Sequence, residues 1–241
     1  MGTLSDQGIE DVRHYAPLHY LPFIARSNSL MRKPSLAAAG FPKTHYRSMS
    51  NGQDVVRGFG DYAHLTLDLE PRILKAKLAA GFPHIAISIP VAAVDAVDHS
   101  LCRFNVAMTR KLRRGNMPGH DESTRNGKYY EGHEIPIART INEKTTMLSH
   151  PLNARTMIEV LIHDDLLLPT NTKIISYSDE DFKVTKNILT QLGSPWSVDL
   201  THPPSNYPRS DLHSKSVADF IAQALADPSW RGNGLEFDKF K

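Results

Sequence analysis

The sequence predicts a mixed α+β fold, and three observations predict it. Tyr62 to Leu69 and His84 to Ile89 alternate with period two, the pattern of half-buried strands. Val160 to Leu166, led by the apolar run Val160-Leu161-Ile162, and Lys173 to Tyr177 read as two further strands. Segments at helical spacing are fewer and do not alternate regularly with the strands, which argues against a doubly wound parallel sheet. The chain has 241 residues, 40% hydrophobic and 22% charged, enough for one large domain with an ordinary core.

Taken in order, Arg13 to Ala16 reads as a strand, and Leu18, Leu21, Ile24 and Ala25 fall at the spacing of a short helix beginning between Pro17 and Pro22. Ser35 to Gly60 is rich in Ser, Gly, Asn and Pro and reads as loop. After the two alternating strands, Pro90 to Val97 fits a short helix. Leu112 to Glu134 is long and polar, and loops of that length in a compact domain are functional or disordered. Asp179 to Leu192 carries Phe182, Ile188, Leu189 and Leu192 at helical spacing, with Ser178 or Asp179 as N-cap and Gly193 as stop. Beyond Ser194, Pro195, Pro203, Pro204 and Pro208 interrupt the chain before an amphipathic helix over Ser216 to Ala226. This predicts a domain over 1–193 and a C-terminal helical extension over 194–241 packed on it, too short to bury a core of its own.

Composition excludes several classes. No apolar run reaches the roughly 20 residues needed to cross a bilayer, so no membrane association is expected. The first residues lack the basic and apolar regions of a secretory signal, and Asp6 after Gly2 fits a myristoylation signal poorly. A lone cysteine, Cys102, rules out an internal disulfide framework and fits a reducing, cytoplasmic setting. Net charge is only +2, but Arg103 to Lys128 concentrates Arg103, Arg110, Lys111, Arg113, Arg114, Arg125 and Lys128 against Asp121 and Glu122. A basic segment of this kind meets phosphates or is simply a solvated loop.

Most familiar chemistry is missing from the motifs. There is no phosphate-binding Gly-x-x-x-x-Gly-Lys, and Gly58-Phe59-Gly60 lacks the third glycine of a dinucleotide fingerprint. No Gly-x-Ser-x-Gly elbow and no zinc spacing appear, and no metal is expected. What stands out is Glu159, set directly against Val160-Leu161-Ile162. Desolvating a carboxylate is costly, so a glutamate entering a buried strand needs partners or a task. Met157 two places earlier leaves it without an acidic companion.

Four segments together resemble one family. They are Arg13-His14-Tyr15-Ala16-Pro17-Leu18-His19-Tyr20-Leu21, Gly58-Phe59-Gly60-Asp61-Tyr62-Ala63-His64-Leu65, Phe82-Pro83-His84-Ile85-Ala86-Ile87-Ser88, and Met157-Ile158-Glu159-Val160-Leu161-Ile162 with Lys173 to Tyr177. In order and spacing they resemble the DarT-type ADP-ribosyltransferases over residues 12–193. The resemblance implies the ADP-ribosyltransferase fold, split β-sheets around a cleft for NAD, which is the substrate cofactor. It implies that Glu159 is the catalytic glutamate and that His14 contacts the adenosine side of NAD. It also implies a catalytic arginine ahead of the Asp-Tyr strand, with Arg47 favoured over Arg57 by spacing. Tyr15 or Tyr62 would stack on nicotinamide, with Ala16, Asp61 and His64 beside them.

The physical reading agrees. Cleaving the nicotinamide–ribose bond builds positive charge on the ribose, which a carboxylate stabilises, while an arginine grips the pyrophosphate in bidentate fashion. There are departures. Arg103 to Met108 lacks the acid and the histidine of a Phe-Thr-Asp-like run found in the family. Thr66 stands where the family has an aromatic residue. These positions help read the nucleobase, so the acceptor stays open. Met157 argues against an arginine side chain as acceptor. The expected partner is a nucleic acid or nucleotide, in a toxin paired with an antitoxin or immunity partner. The rival readings are an NAD-consuming hydrolase or biosynthetic enzyme, an RNA 2′-phosphotransferase, and a non-catalytic nucleic-acid-binding module.

Overall fold

Residues 11–17, with Val12 and Ala16 buried, form the strand on which the sheet is organised. A computed structural model describes residues 4–42, 59–67, 72–103, 112–113, 129–130, 137–149, 158–201 and 211–232. In chain order the elements are β1 (Asp11–Pro17), α1 (Leu21–Ser27), β2 (Ser29–Leu30), α2 (Lys33–Ala38), β3 (Ala63–Thr66), α3 (Arg72–Ala79) and β4 (His84–Pro90). There follow α4 (Val91–Asp95), β5 (His99–Cys102), β6 (Leu112–Arg113), β7 (Tyr129–Tyr130), β8 (Ile137–Ala138) and α5 (Ile141–Leu148). The rest are β9 (Glu159–Ile162), β10 (Leu166–Leu167), β11 (Lys173–Ser176), α6 (Asp179–Gln191), β12 (Ser197–Leu200) and α7 (Asp211–Ala226).

Eight strands form one sheet in the order β12-β11-β4-β1-β3-β9-β5-β8, antiparallel at every described pairing except the parallel pair β11 and β12. The sheet has a seam. β1 pairs with β4 along its whole length, from Asp11↔Pro90 to Pro17↔His84. On its other side β1 meets β3 at the single registered pair Arg13↔Thr66. Two half-sheets, β12-β11-β4-β1 and β3-β9-β5-β8, therefore hinge on that contact. This is the split α+β architecture, with the halves joined rather than separate.

The main core lies on one face, where Val12, Leu65, Ile85, Ile87, Ile89, Val160, Ile162 and Ile174 meet apolar residues of α4, α5, α6 and α7. On the opposite face α3 sets Leu74 and Leu78 over Tyr15, Ala86, Ile175 and Tyr177. β4 is buried from His84 to Ile89. Small Ala86 lets α3 settle on it, and the Ser88 hydroxyl donates to Asp11, so a sequence that reads as half-buried is covered on both faces.

Several elements differ from expectation. Part of the expected 35–60 loop is helical: Pro34 sits in the first turn of α2, where its missing N–H costs nothing, and Gly40 at φ 81° ends the turn that follows. Residues 43–58 lie outside the described set. α5 was not expected, although Thr140 and Glu143 cap it reciprocally. α6 starts at its Ser178 cap as expected. The tail contributes more than a helix: β12 extends the sheet edge beside β11. α7 starts earlier than expected, and its Phe220 packs against Phe23 of α1 and Trp230.

Candidate active site

The register places Ser197, Lys173, Ser88, Arg13, Thr66, Glu159, Cys102 and Ile137 in one row across all eight strands. Residues directly opposite in neighbouring strands share a face. Here that is the face carrying α3, not the main core. The row is polar through its middle, and it crosses the seam between Arg13 and Thr66. Next to it, Phe59 and Tyr62 pack over Leu161 and Cys102.

Glu159 opens β9 and is the partly buried end of an otherwise buried strand, with a side chain 12% exposed. It does not stand alone. His64 Nδ1 lies 2.9 Å from Glu159 Oε1, and His64 Nε2 lies 3.1 Å from the Phe59 carbonyl oxygen. A carbonyl only accepts, so Nε2 carries a proton. A second proton, shared between Nδ1 and Glu159 Oε1, satisfies the other contact.

His14 enters from across the seam. Its Nδ1 lies 2.9 Å from the His64 carbonyl oxygen and donates to it. Arg13↔Thr66 is the registered pair of β1 and β3, and beyond it the His14 side chain spans the seam to that carbonyl. Desolvation holds the His14 pKa below the ordinary histidine range. The bond to the His64 carbonyl opposes this, and neighbouring His64 adds to it. His14 is thus a neutral Nδ1–H donor, with Nε2 left as an acceptor.

A second histidine network braces the same face. His163 Nδ1 lies 2.7 Å from Asp98 Oδ2, and its Nε2 lies 2.8 Å from Ser100 Oγ. Tyr62 stacks on the His163 ring at 4.7 Å and 22°. The Ser-His-Asp order invites comparison with a nucleophile relay, but Ser100 is 1% exposed in the middle of β5. The network holds the Tyr62 ring from one side.

Of the residues singled out in the sequence, the structure joins the Glu159 and His64 side chains, with Tyr62 nearby, while His14, opposite Ile87 on the core side of β1, reaches the His64 main chain. Tyr15 packs beneath α3. Ala16 is buried and paired with Ile85 in the β1–β4 ladder. Asp61 is exposed at the turn before β3. Arg47 and Arg57 lie outside the described residues, as do Met157 and most of the basic 103–128 segment. Arg13 and His163 were not anticipated. Arg13 looked like any strand residue, and only the register aligns it with Glu159. Among the described residues no cluster of His, Cys, Asp and Glu could hold a metal ion.

No protein family and no curated protein matches the chain. Solved structures do. DarT of Thermus sp. 2.9 in complex with ADP-ribosylated single-stranded DNA superposes with a TM-score of 0.51 at 12% identity, covering 80% of this chain and 94% of that one. The same protein in complex with NAD+ gives 0.49 at 13% identity, covering 79% and 95%. The likeness is one of fold: this chain has the mixed α+β fold of DarT, with Glu159 opening one of the sheet's central strands.

Proposed function

We propose that the chain is an NAD-dependent ADP-ribosyltransferase, releasing nicotinamide and transferring ADP-ribose to a nucleic-acid or nucleotide acceptor. One observation carries this reading. A largely buried carboxylate, Glu159, sits beside the seam of a split sheet, held by a histidine, in a fold shared with a protein seen with ADP-ribosylated DNA. The motif resemblance supports the same reading.

In the proposed reaction the C1′–N bond to nicotinamide breaks with its electron pair leaving on nicotinamide. Glu159 stabilises the positive charge that develops on the ribose and orients a ribose hydroxyl or the incoming nucleophile. The nucleophile forms the new bond to C1′, and its proton passes to the carboxylate or solvent. His14 contacts the cofactor through Nε2. Tyr62 offers the ring face not taken by His163. Asp61 and the Tyr15–Ala16 main chain belong to the same wall. Arg47, preferred to Arg57, grips the pyrophosphate. The basic 103–128 segment lies along the acceptor and gives it nucleic-acid binding. Residues 194–241 act as an extension of the one domain. A toxin role in the cytoplasm, restrained by an antitoxin or immunity partner, completes the proposal. Among the described residues no helix is long and apolar enough to cross a membrane.

The test is turnover of NAD followed as nicotinamide, with the fate of ADP-ribose traced by mass on single-stranded DNA, RNA and nucleotides. Glu159→Gln is expected to lose about 10²- to 10³-fold in rate, as for removal of a main electrostatic stabiliser, with its melting temperature retained. Undiminished release by that variant sinks the assignment. Free ADP-ribose as the sole product makes the enzyme a hydrolase of the same fold.

A further inference from the structure

We propose that His64 is a positioning residue: it sets the Glu159 carboxylate for catalysis and ties it to the Phe59–Tyr62 turn. The inference rests on the transferase reading and gives His64 a role other than ligand contact.

The geometry singles out this side chain. His64 bridges two acceptors on different parts of the chain, Glu159 Oε1 at 2.9 Å and the Phe59 carbonyl at 3.1 Å. Its own carbonyl is held from across the seam by His14 at 2.9 Å. Its backbone is fixed in the ladder, where His64 faces Leu161 and Thr66 faces Glu159. Both partners are shielded, with side chains 25% and 12% exposed. A glutamate side chain samples several rotamers when unheld. A charge-assisted bond to Oε1 fixes the carboxylate plane and so the direction of Oε2. The other ring nitrogen anchors the turn that carries Tyr62 over Leu161. One imidazole thus couples the reacting carboxylate to a wall of the site.

The two ring nitrogens can be separated by substitution. In His64→Asn the amide nitrogen takes the place of Nδ1 and keeps a donor toward Glu159. In His64→Gln it takes the place of Nε2 and keeps the bond to Phe59 while losing Glu159. The full chain is assayed with NAD, following nicotinamide, and each variant's melting temperature is recorded. His64→Gln is expected to lose about 10- to 100-fold in kcat with KM for NAD within about 3-fold, the size of one lost charge-assisted bond. His64→Asn is expected to stay within about 3-fold of the parent kcat. Equal losses in the two variants overturn the proposal. So does a rise in KM at unchanged kcat, which marks a ligand contact. If the parent protein itself releases no nicotinamide, the transferase reading falls and this role falls with it. An active parent with indistinguishable Asn and Gln variants removes the His64 role alone.

Discussion

The two half-sheets solve the same folding problem with different materials. On one side of the seam, β4 and β1 pair over seven registered positions, from Asp11↔Pro90 to Pro17↔His84. Isoleucines at 85, 87 and 89 fill the core there. On the other side, β3 and β9 pair over four positions and carry His64 and Glu159, while His163 follows β9 directly. The first half is held by apolar burial and a continuous ladder. The second gives up part of that to keep titratable groups near solvent. The seam is where the trade is made: β1 and β3 share one registered pair, and a histidine side chain bonds across it. Stability and chemistry thus sit in adjoining strands of one sheet.

The sharpest way to break this comparison is in the first half. Ile87→Ala, at a fully buried core position, should cost about 4 kcal/mol in chemical denaturation, within the usual range for large-to-small core changes. A cost below about 1 kcal/mol would mean that the first half is not the stabilising one.

Acid is the next lever. Burial lowers the His84 pKa from 6.5 to about 4, opposed by its bond to the Phe82 carbonyl and aided by Lys77. His84 is neutral in the folded chain while the unfolded chain takes up a proton below about 6.5. Its stabilising contribution is complete above that pH and is lost as pH falls toward 4, by about 3 kcal/mol at the limit. His14 acts in the same direction. Unfolding free energies measured from pH 7.5 to 4 should fall accordingly, and His84→Gln should flatten the slope. An acid limb that this variant leaves unaltered assigns the effect to other groups.

The seam itself is tested by His14. His14→Phe removes the donor to the His64 carbonyl and should cost about 2 kcal/mol for the unsatisfied acceptor. His14→Asn keeps a donor at the Nδ1 position and should recover most of that stability while raising KM for NAD. If both variants are equally stable, the carbonyl finds another partner and the seam needs no side chain. The smallest effect is expected at Thr140, whose hydroxyl accepts from Glu143 N at 3.3 Å. Thr140→Ala should lower stability by about 1 kcal/mol in the same denaturation assay and leave NAD turnover alone, because α5 backs the second half without touching its polar row. A change in turnover would place α5 closer to the chemistry.

Much of this fold was legible because its signals are local. β3 and β4 follow from period-two runs, β9 and β11 from apolar runs, and α6 from its Ser178 cap and Gly193 stop, although the strand expected over Val160 to Leu166 ends at Ile162 and Leu166 belongs to β10 of another sheet. The Thr140-x-x-Glu143 box was readable and passed over, because the polar stretch before it masked a helix of only two turns. α3 and β5 were missed for another reason: their burial depends on partners far along the chain. Of the site, Glu159 was legible because a carboxylate entering an apolar strand violates the cost of desolvation. His64 looked like a strand histidine with nothing to mark its partner.

The chain's residue pattern alone established the α+β class and the strand that Glu159 opens, since period and desolvation cost are properties of neighbours in sequence. Folding in three dimensions settled the rest. It chose the single pair Arg13↔Thr66 as the seam, turned His14 onto the His64 carbonyl, placed His64 against Glu159 and set Tyr62 on His163. Each of these contacts joins residues at least 50 positions apart in the chain. Register and side-chain direction between such partners follow from packing, and no local pattern encodes them.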